Sequence, residues 1–383
     1  MIPATTLAVT GERFQATYVL TGPHEAARAR AESICVEQTI EFPADLVADD
    51  DIKREVIGHI ESFEETGPET VVVRISYAVE TTGRELCQLL NVVFGNCSLY
   101  PGVRLAGLDL SPSLLTAFPG PRFGVPGLRA LLDAPTRPIL ASALKPMGLG
   151  PDALAAIAAT MARSGIDVIK DDHGLANQPF APWEARVRAC AVAVSRANEE
   201  TGRHALYMPS LNSPLSEFHE RAKIAKAAGA GGLLVLPGLT GMDSIRWIAA
   251  DDDIGLPIMG HPAYLGANVT SPVSGIEHGL MLGTLYRLAG ADLTVFPSWG
   301  GRFSFTQEEC HSIATACRRP FGGLPAIFPT PGGGMTVDRA AEINAFYGPD
   351  TALLVGGDLH RGDLAENVAR MRAAVDGVEP VRA

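Results

Sequence analysis

A lysine and two adjacent aspartates stand where a predicted strand ends. Lys170, Asp171 and Asp172 directly follow the β-rich run at residues 166–169, and a loop at residues 174–179 comes next. Two neighbouring carboxylates suit a hard cation such as Mg²⁺, which binds few carboxylates and keeps positions open for water and substrate. The same side chains could instead only cap the helix that follows. The residue types alone therefore leave a metal site and a helix cap as alternatives.

Other polar side chains also follow short apolar runs of the chain. Lys145, His261 and Arg302 each come shortly after such a run. If the runs are strands of an α/β barrel, their carboxyl ends open onto one face, where such barrels keep their chemistry. A lone histidine such as His261 is more often a satisfied hydrogen-bonding residue than a catalyst. Several groups at one face together predict a site, with Arg302 as the cation of a closing loop.

Glycines follow the last two of these runs. Gly333 and Gly334 come after one, and Gly356 and Gly357 come after the other. Backbone N–H groups without a Cβ in the way can close on a phosphate at a helix N-terminus, so this pattern predicts a phosphate-binding cradle. The alternative is that these glycines only form tight turns.

The spacing of the apolar runs predicts the architecture. Alternating strand and helix patterns imply a parallel sheet, and eight units in the second part of the chain fit an α/β fold with a C-terminal (β/α)₈ TIM barrel. A doubly wound open sheet is the alternative, but no GxGxxG turn follows any run. The runs are residues 139–144, 166–169, 205–208, 232–236, 257–259, 292–296, 326–328 and 351–355.

The first part of the chain reads differently. Strand-like runs at residues 14–20 and 71–77 alternate with helix-like stretches such as residues 24–33, which predicts an α+β domain. The stretch at residues 119–126, rich in proline and glycine, is the best boundary region. We therefore predict an N-terminal α+β domain at residues 1–125 and a catalytic barrel at residues 126–383.

Charge and composition narrow the class of protein. The chain is 46% hydrophobic and 19% charged, with a net charge of −12. These values are typical of a compact globular enzyme. A nucleic-acid partner is not expected, because phosphate-backbone binding needs a basic face. The negative net charge does not exclude a phosphorylated small molecule, since a local cradle can hold it.

No compartment signal or cysteine framework is found in the sequence. No apolar run is long enough for a membrane helix, and the N-terminus lacks the basic-then-apolar order of a signal peptide, which predicts a cytoplasmic protein with no membrane partner. The six cysteines are scattered without CxxC pairs. We expect reduced, mostly buried thiols.

These motifs together resemble the RuBisCO large subunit, and more closely its non-carboxylating relatives, the RuBisCO-like (form IV) proteins. Leu144-Lys145-Pro146 resembles the first-strand lysine motif, and residues 165–173 followed by residues 177–180 resemble the metal-site motif. Glu32 and Asn96 match two active-site residues that the N-terminal domain of the family supplies across a dimer interface. The resemblance implies a homodimer with shared sites and a catalytic set of Lys145, Lys170, His261, Asn96 and Glu32.

The resemblance also implies a metal, with one departure. In RuBisCO the lysine that matches Lys170 is carbamylated, and the carbamate joins an aspartate and a glutamate on Mg²⁺. Here the aspartate is kept as Asp172, but the glutamate position is His173. Imidazole is a poorer Mg²⁺ ligand than carboxylate. The expected metal set is Lys170 with a CO₂-derived carbamate, Asp172 and His173.

One of the two phosphate grips of RuBisCO is missing. The positions of its second grip are occupied by Pro262, Val295 and Gly332, none of which is cationic. The other cradle, Gly333, Gly334, Gly356 and Gly357 near Arg302, is intact. The resemblance therefore implies a sugar substrate with one phosphate, so that ribulose bisphosphate is a poor candidate.

The function that the resemblance favours is decarboxylation of a singly phosphorylated 3-oxo sugar acid, of the 3-oxoisoapionate 4-phosphate type, through a Mg²⁺-stabilised enediolate. Lys145 would move a proton and Lys170 would shape the metal shell. The alternatives within the family are a sugar-phosphate enolase or isomerase, or a transcarboxylase or hydrolase. An alternative of another class is a catalytically inactive barrel that serves as a binding protein.

Overall fold

The structure, a computed structural model, describes residues 7–377. The chain forms two compact units: the first comprises the chain up to Pro119 together with Leu265–Met281, and the second comprises Gly120–Tyr264 and the chain from Leu282 onward. The α+β unit and the barrel predicted from the sequence are both present.

The first unit is built on a five-stranded sheet with the order β10-β4-β1-β3-β2. Strand β1 alternates buried and half-buried residues, with Phe14, Ala16, Tyr18 and Leu20 inside. This period of two is the pattern of a sheet with one face on a core. The strands are β1 Arg13–Thr21, β2 His59–Gly67, β3 Thr70–Ala78, β4 Val103–Asp109 and β10 Gly275–Ile276, and the longer helices are α1 His24–Glu37 and α2 Leu86–Phe94.

The second unit is the eight-stranded parallel barrel that the sequence predicts. Its strand order is β7-β6-β5-β13-β12-β11-β9-β8, and the bridge between Ser210 and Leu234 closes the ring between β7 and β8. Each predicted run overlaps one strand. The strands are β5 Ile139–Leu144, β6 Val168–Asp171, β7 Leu206–Met208, β8 Leu233–Val235, β9 Ile258–Gly260, β11 Leu293–Pro297, β12 Phe328–Gly332 and β13 Ala352–Val355.

Helices connect the strands and cover the barrel. The helix after β5 begins with a proline in its first turn and ends at Ser164; the next residue, Gly165, has a φ of 116°, the left-handed geometry that favours glycine after a helix end. The helix after β11 begins with a capping box between Thr306 and Glu309. The helices of the second unit are α4 Gly124–Leu131, α5 Pro151–Ser164, α6 Trp183–Thr201, α7 Leu215–Ala227, α8 Pro237–Thr240, α9 Asp243–Ala250, α11 Tyr286–Ala289, α12 Gln307–Arg318, α13 Ala340–Tyr347 and α14 Leu364–Asp376, and those left in the first are α3 Pro112–Leu115 and α10 Gly266–Val269.

The division of the chain differs from a single cut after residue 125. Phe123 and Gly124 already belong to the barrel unit, where their backbone N–H groups donate to Oδ1 of Asp292. The insertion Leu265–Met281 joins the first unit because Gly275 pairs with Arg104 of β4. A strand of two residues carries no sequence pattern, so this excursion was not predictable.

A buried charge cluster closes the amino end of β6. Asp167 accepts two hydrogen bonds of 2.7 Å from Arg137 and one of 2.9 Å from Arg372. The backbone N–H of Leu140 donates to it as well, over 2.8 Å. Asp167, although it stands in the motif stretch, is therefore structural. No helix within residues 7–377 has the length and apolar character needed to cross a bilayer.

Candidate active site

Lys145 and Asp172 meet at the carboxyl ends of two neighbouring strands. β5 and β6 pair in parallel with Leu144 opposite Asp171, so the next residue of each segment leaves the sheet at the same level. Nζ of Lys145 donates to Oδ2 of Asp172 over 3.0 Å, and both side chains are partly exposed. The structure thus joins a lysine and a carboxylate that the sequence predicts at one face.

Asp172 is held as a carboxylate by its neighbours. Burial opposes ionisation, but the hydrogen bond from His173 and the charges of Lys170 and Lys145 outweigh it and hold the pKa of Asp172 well below its ordinary value. Nδ1 of His173 lies 3.3 Å from Oδ1 of Asp172. Each carboxylate oxygen therefore faces a nitrogen group, and Asp172 is the negative centre of the site.

Lys170 is a buried amine beside this carboxylate. Only 1% of the residue is exposed, and its Nζ donates to the backbone oxygen of Asp171 over 2.9 Å. Burial lowers the pKa of Lys170 to about 8, an effect that Asp172 opposes and the charge of Lys145 reinforces. A lysine with such a pKa becomes neutral as the pH rises through about 8, well below the range of an ordinary lysine, and the neutral amine is the form that can act as a base or add CO₂.

Asp171 points away from Asp172, because successive strand side chains alternate between faces. It is fully buried against the equally buried Arg186, whose Nη2 lies 3.1 Å from Oδ2. The hydroxyl of Tyr207 donates to Oδ1 over 2.8 Å, and the N–H of Ser210 donates to Oδ2 over 3.0 Å. Asp171 anchors the end of β6, and the two adjacent carboxylates do not form a common metal site.

Neither aspartate caps the next helix. Helix α6 begins at Trp183, and the N–H of Trp183 donates to Oδ1 of Asn177 over 2.8 Å. The helix-cap alternative is therefore wrong, because the loop between β6 and α6 supplies its own acceptor for the first turn.

Two histidines from different strand ends stack in the site. The rings of His173 and His261 are 4.9 Å apart at an interplanar angle of 10°. Nδ1 of His261 accepts the N–H of Ala263 over 3.1 Å, which assigns the proton of the neutral ring to Nε2. Burial, with the charge of Lys170, lowers the pKa of His261 well below its ordinary value. His261 is thus a neutral hydrogen-bond donor.

The unmodified side chains do not complete a metal site. Within residues 7–377, no three His, Cys, Asp or Glu side chains are grouped so that they could hold a metal ion. Asp172 and His173 are neighbours, but Mg²⁺ prefers oxygen ligands. A carbamate on Lys170 would add oxygens beside Asp172. The predicted set of Lys170, Asp172 and His173 therefore fits Mg²⁺ only in the carbamylated form.

The loop that carries Arg302 lies backbone to backbone against the glycine turn after β12. A Cβ at Gly301 would lie 2.6 Å from the backbone oxygen of Gly333, and one at Gly334 would lie 2.7 Å from Cα of Gly301. Gly333 and Gly334 have φ values of 78° and 79°, which glycine adopts without strain. Arg302 itself is exposed. The first pair of predicted cradle glycines is thus brought close to the predicted cation.

The second pair of cradle glycines lies on the neighbouring strand end. β12 and β13 pair at Gly332 and Leu354, and a Cβ at Gly356 or Gly357 would meet nothing within 4 Å. Open space therefore borders this turn. Gly357 begins a short 3₁₀ turn, Gly357–His360, and the phosphate role predicted for these glycines stays a prediction.

That turn ends at a histidine that the sequence did not single out. Nε2 of His360 is buried and has no hydrogen-bond partner among residues 7–377. Burial and the charge of Lys145 lower the pKa of His360, and β13 pairs directly with β5, which ends just before Lys145. The strand that leads to His360 thus lies beside β5, on the side opposite β6.

Glu32 and Asn96 lie in the first unit and do not pair with each other. Glu32 is exposed on α1, while Nδ2 of Asn96 donates to Oε1 of Glu37 over 2.8 Å. Gln38 holds the Asn96 turn in place, since its Oε1 accepts the N–H of Cys97 over 2.8 Å. The roles predicted for Glu32 and Asn96 stay predictions.

A comparison with family models now decides the family. The model described as ribulose bisphosphate carboxylase large chain, catalytic domain, matches residues 124–379. The chain belongs to the RuBisCO large-chain family. This confirms the resemblance read from Lys145, the residue 165–173 stretch and the strand-end glycines.

Relatives of this RuBisCO-like chain carry non-carboxylating names. It is 41% identical to ribulose bisphosphate carboxylase-like protein 1 of Rhodopseudomonas palustris, over 95% of this chain and 98% of the relative. It is 37% identical to 5-methylthioribulose-1-phosphate isomerase of Rhodospirillum rubrum, over 96% and 97%. It is 34% identical to 2,3-diketo-5-methylthiopentyl-1-phosphate enolase of Bacillus licheniformis, over 96% and 93%. The decarboxylation predicted from the sequence is not supported by these names.

A solved structure agrees. The crystal structure of a RuBisCO-like protein from Rhodopseudomonas palustris superposes with a TM-score of 0.87 at 38% identity, covering 97% of this chain and 99% of that one. The RuBisCO-like fold is thus confirmed over almost the whole chain.

Several residues at the site of this RuBisCO-like chain were not predicted from the sequence. Arg186 and Tyr207 fix Asp171, and His360 follows β13, the strand that pairs with β5. A buried arginine on a helix has no local signature. His360 could have been found, because it stands a few residues after a strand end, as His261 does.

Proposed function

We propose that this RuBisCO-like protein catalyses proton transfer next to the carbonyl of a singly phosphorylated sugar, as an isomerase or enolase. The observation that carries this proposal is the 3.0 Å contact between Nζ of Lys145 and Oδ2 of Asp172, beside the buried amine of Lys170 and the neutral ring of His261. Acid–base groups and hydrogen-bond donors at one strand end are what enediolate formation requires.

The chemistry divides among the residues as follows. Lys145, as the neutral amine, takes the proton from the carbon next to the carbonyl, and the electron pair of that C–H bond moves onto the carbonyl oxygen. Nε2–H of His261 donates to the enediolate oxygen. The Lys145 ammonium formed in this way then returns the proton to carbon, the neighbouring one in an isomerase. Nζ of Lys145 lies 3.0 Å from Oδ2 of Asp172, and this contact must break for Nζ to reach the substrate carbon.

Carbamylation of Lys170, together with bound Mg²⁺, would give Asp172 a partner other than Lys145. The carbamate of Lys170 and Asp172 would hold Mg²⁺, which would supply positive charge for the substrate oxygens. The buried, readily deprotonated Lys170 supports this arrangement. His173 then either completes the ligand set or remains a hydrogen-bond partner of Asp172.

The phosphate of the substrate is assigned to Arg302 with Gly333, Gly334, Gly356 and Gly357. The close approach of the Arg302 loop to one glycine turn, and the open space beside the other, support this assignment. The absence of cationic side chains at Pro262, Val295 and Gly332 favours one phosphate over two.

We also infer a homodimer in which Glu32 and Asn96 of one chain serve the partner's barrel. Both residues are exposed on the single chain and therefore available to a second copy. Decarboxylation would pass through the same enediolate, so it is tested alongside. An inactive binding protein is disfavoured by the assembled Lys145, Lys170 and Asp172.

Solvent-proton exchange tests the proposal directly. Purified protein with Mg²⁺ and bicarbonate is incubated in D₂O with a panel of ketose 1-phosphates, including 5-methylthioribulose 1-phosphate and 2,3-diketo-5-methylthiopentyl 1-phosphate, and with phosphorylated 3-oxo acids. Nuclear magnetic resonance follows deuterium at carbon, and a CO₂ trap follows decarboxylation. Deuterium incorporation that Lys145→Ala abolishes supports the proposal. CO₂ release from a 3-oxo acid without exchange into any ketose phosphate would overturn it in favour of decarboxylation.

A further inference from the structure

A single arginine, Arg339, joins the two loops that carry the phosphate-site candidates. It ends the 3₁₀ turn Val337–Arg339 after β12. Its Nη1 donates to the backbone oxygen of Gly334 over 3.2 Å and to that of Trp299 over 3.4 Å, and its Nη2 donates to the Trp299 oxygen over 3.3 Å. Gly334 lies after β12 and Trp299 after β11, so one guanidinium binds the backbone of both loops.

The ring of Trp299 strengthens this contact. Cζ of Arg339 lies 4.4 Å from the ring centroid, within the range of a cation–π interaction. Trp299 is only 7% exposed, and its ring packs edge-on against Phe346 with centroids 5.5 Å apart. The guanidinium therefore rests on a platform that is itself fixed by packing.

Glycines let the guanidinium and the two loops approach each other. A Cβ at Gly300 would lie 3.1 Å from Nη2 of Arg339, and Gly300 has a φ of 70°. A Cβ at Gly301 would collide with the backbone oxygen of Gly333 at 2.6 Å. No side chain separates the Arg302 loop from the glycine turn, so Arg339 acts on backbone that is already in contact.

The chemistry of arginine suits this task. Its planar fork offers N–H donors in fixed, diverging directions, whereas a lysine ammonium is one point on a flexible stem. The acidic partner of Arg339, Glu342, approaches Nε at 3.4 Å. The two Nη groups are thereby left for the carbonyls.

We propose that Arg339 is a positioning residue that fixes the Arg302 loop against the Gly333–Gly334 turn and so assembles the phosphate site before the substrate arrives. Arg302 follows Trp299 by three positions. Losing the contacts between Arg339 and Trp299 should therefore make the Arg302 segment more mobile. The inference rests on the proposed phosphate role of Arg302. Order held in advance lowers the cost of ordering a loop during binding.

Binding of inorganic phosphate, measured by calorimetry, tests the positioning role without knowledge of the substrate. Arg339→Ala should weaken binding about tenfold, because the loosened loop must then be ordered when phosphate binds. Arg339→Lys should weaken it nearly as much, because the charge stays but the fork is lost. The control is Arg188→Ala, which removes an exposed arginine on α6 that pairs with Glu184 at 2.7 Å. It should bind phosphate like the wild type.

Amide hydrogen exchange provides the second measurement. In Arg339→Ala, residues 298–305 and 333–336 should exchange faster, while the strands of the barrel keep their wild-type rates. Arg188→Ala should leave both loops unchanged. If Arg339→Ala does not fold, Arg339→Gln, which keeps one donor group and the length of most of the side chain, takes its place.

The outcomes test separately whether Arg339 holds the two loops together and whether Arg302 binds phosphate. Faster loop exchange with weaker phosphate binding supports the proposal. If the amide exchange of the two loops is unchanged in Arg339→Ala, Arg339 does not hold them together. If the exchange is faster but phosphate binding is unchanged, Arg339 does not position Arg302. A wild-type protein that binds no phosphate contradicts the proposed phosphate site, while the exchange rates still decide whether Arg339 holds the loops together.

Discussion

Nζ of Lys145 lies 3.0 Å from Oδ2 of Asp172, although 27 positions separate them in the chain. They meet because β5 and β6 are parallel neighbours in the barrel. The contact places an ion pair, the Lys145 amine and the Asp172 carboxylate, at the face where substrates of such barrels bind. Each residue can therefore be tested for a separate part in the reaction.

Replacing Lys145 should remove proton transfer and leave the fold intact. We expect Lys145→Ala to lower the exchange rate roughly 10² to 10⁴-fold, the usual contribution of a general acid or base. The side chain is partly exposed, so the thermal midpoint should change little. The measurement is deuterium incorporation at carbon together with a melting curve. A variant with wild-type exchange would remove Lys145 from the mechanism.

The two adjacent aspartates should behave as opposites. Asp171→Ala leaves the fully buried Arg186 without its carboxylate, and breaking such a pair costs about 3–5 kcal/mol. Asp172→Ala removes a partly exposed carboxylate, so stability should change far less while activity is lost. Denaturant unfolding and the exchange assay, run on both variants, check this. Equal destabilisation by the two substitutions would contradict the division of roles.

Activation by bicarbonate should depend on pH through Lys170. Burial lowers the pKa of Lys170 to about 8, so the neutral amine that adds CO₂ becomes more abundant as the pH rises through 8. The carbamate signal of ¹³C-labelled bicarbonate, and Mg²⁺-dependent activity, should both increase from pH 7 to pH 9. Lys170→Ala should abolish both, whereas Lys145→Ala should keep the carbamate signal. Full activity in chelator, with no carbamate signal, would eliminate the carbamate.

The same lysine predicts a change in stability. Its pKa is lower in the folded chain than in the unfolded chain, where it is near its ordinary value, so the unfolded state binds more protons between these two values. The free energy of unfolding should therefore rise with pH from about 8 to about 10.5 through this group. Lys170→Met should be more stable than the wild type below pH 8 and should lose this part of the pH dependence in urea titrations.

Shared sites can be tested by mixing subunits. Lys145→Ala and Asn96→Ala homodimers should each be inactive. After co-expression, hybrid dimers carry one intact site each, so activity should return to roughly a quarter of the wild type if subunits pair at random. The control is a mixture of Lys145→Ala and Asp172→Ala, which both change the barrel. No hybrid of these two variants contains an intact site, so this mixture should stay inactive. No recovery in the first mixture would mean that Asn96 serves its own chain or none.

The barrel and its site face followed from the sequence, because strand-length apolar runs and the polar residues after them are local patterns. Lys145, Lys170 and Asp172 could be placed at one face since parallel strands end together. The partners of these residues could not be predicted. Asp171 and Asp172 are the same residue type, so the sequence does not distinguish their roles. Side chains alternate along β6, and only Asp171 faces the buried side, where Arg186 and Tyr207 bind it. The contact of Arg339 with Trp299 and the pairing of Asn96 with Glu37 join segments distant in the chain, and such contacts exist only once packing has brought those segments together.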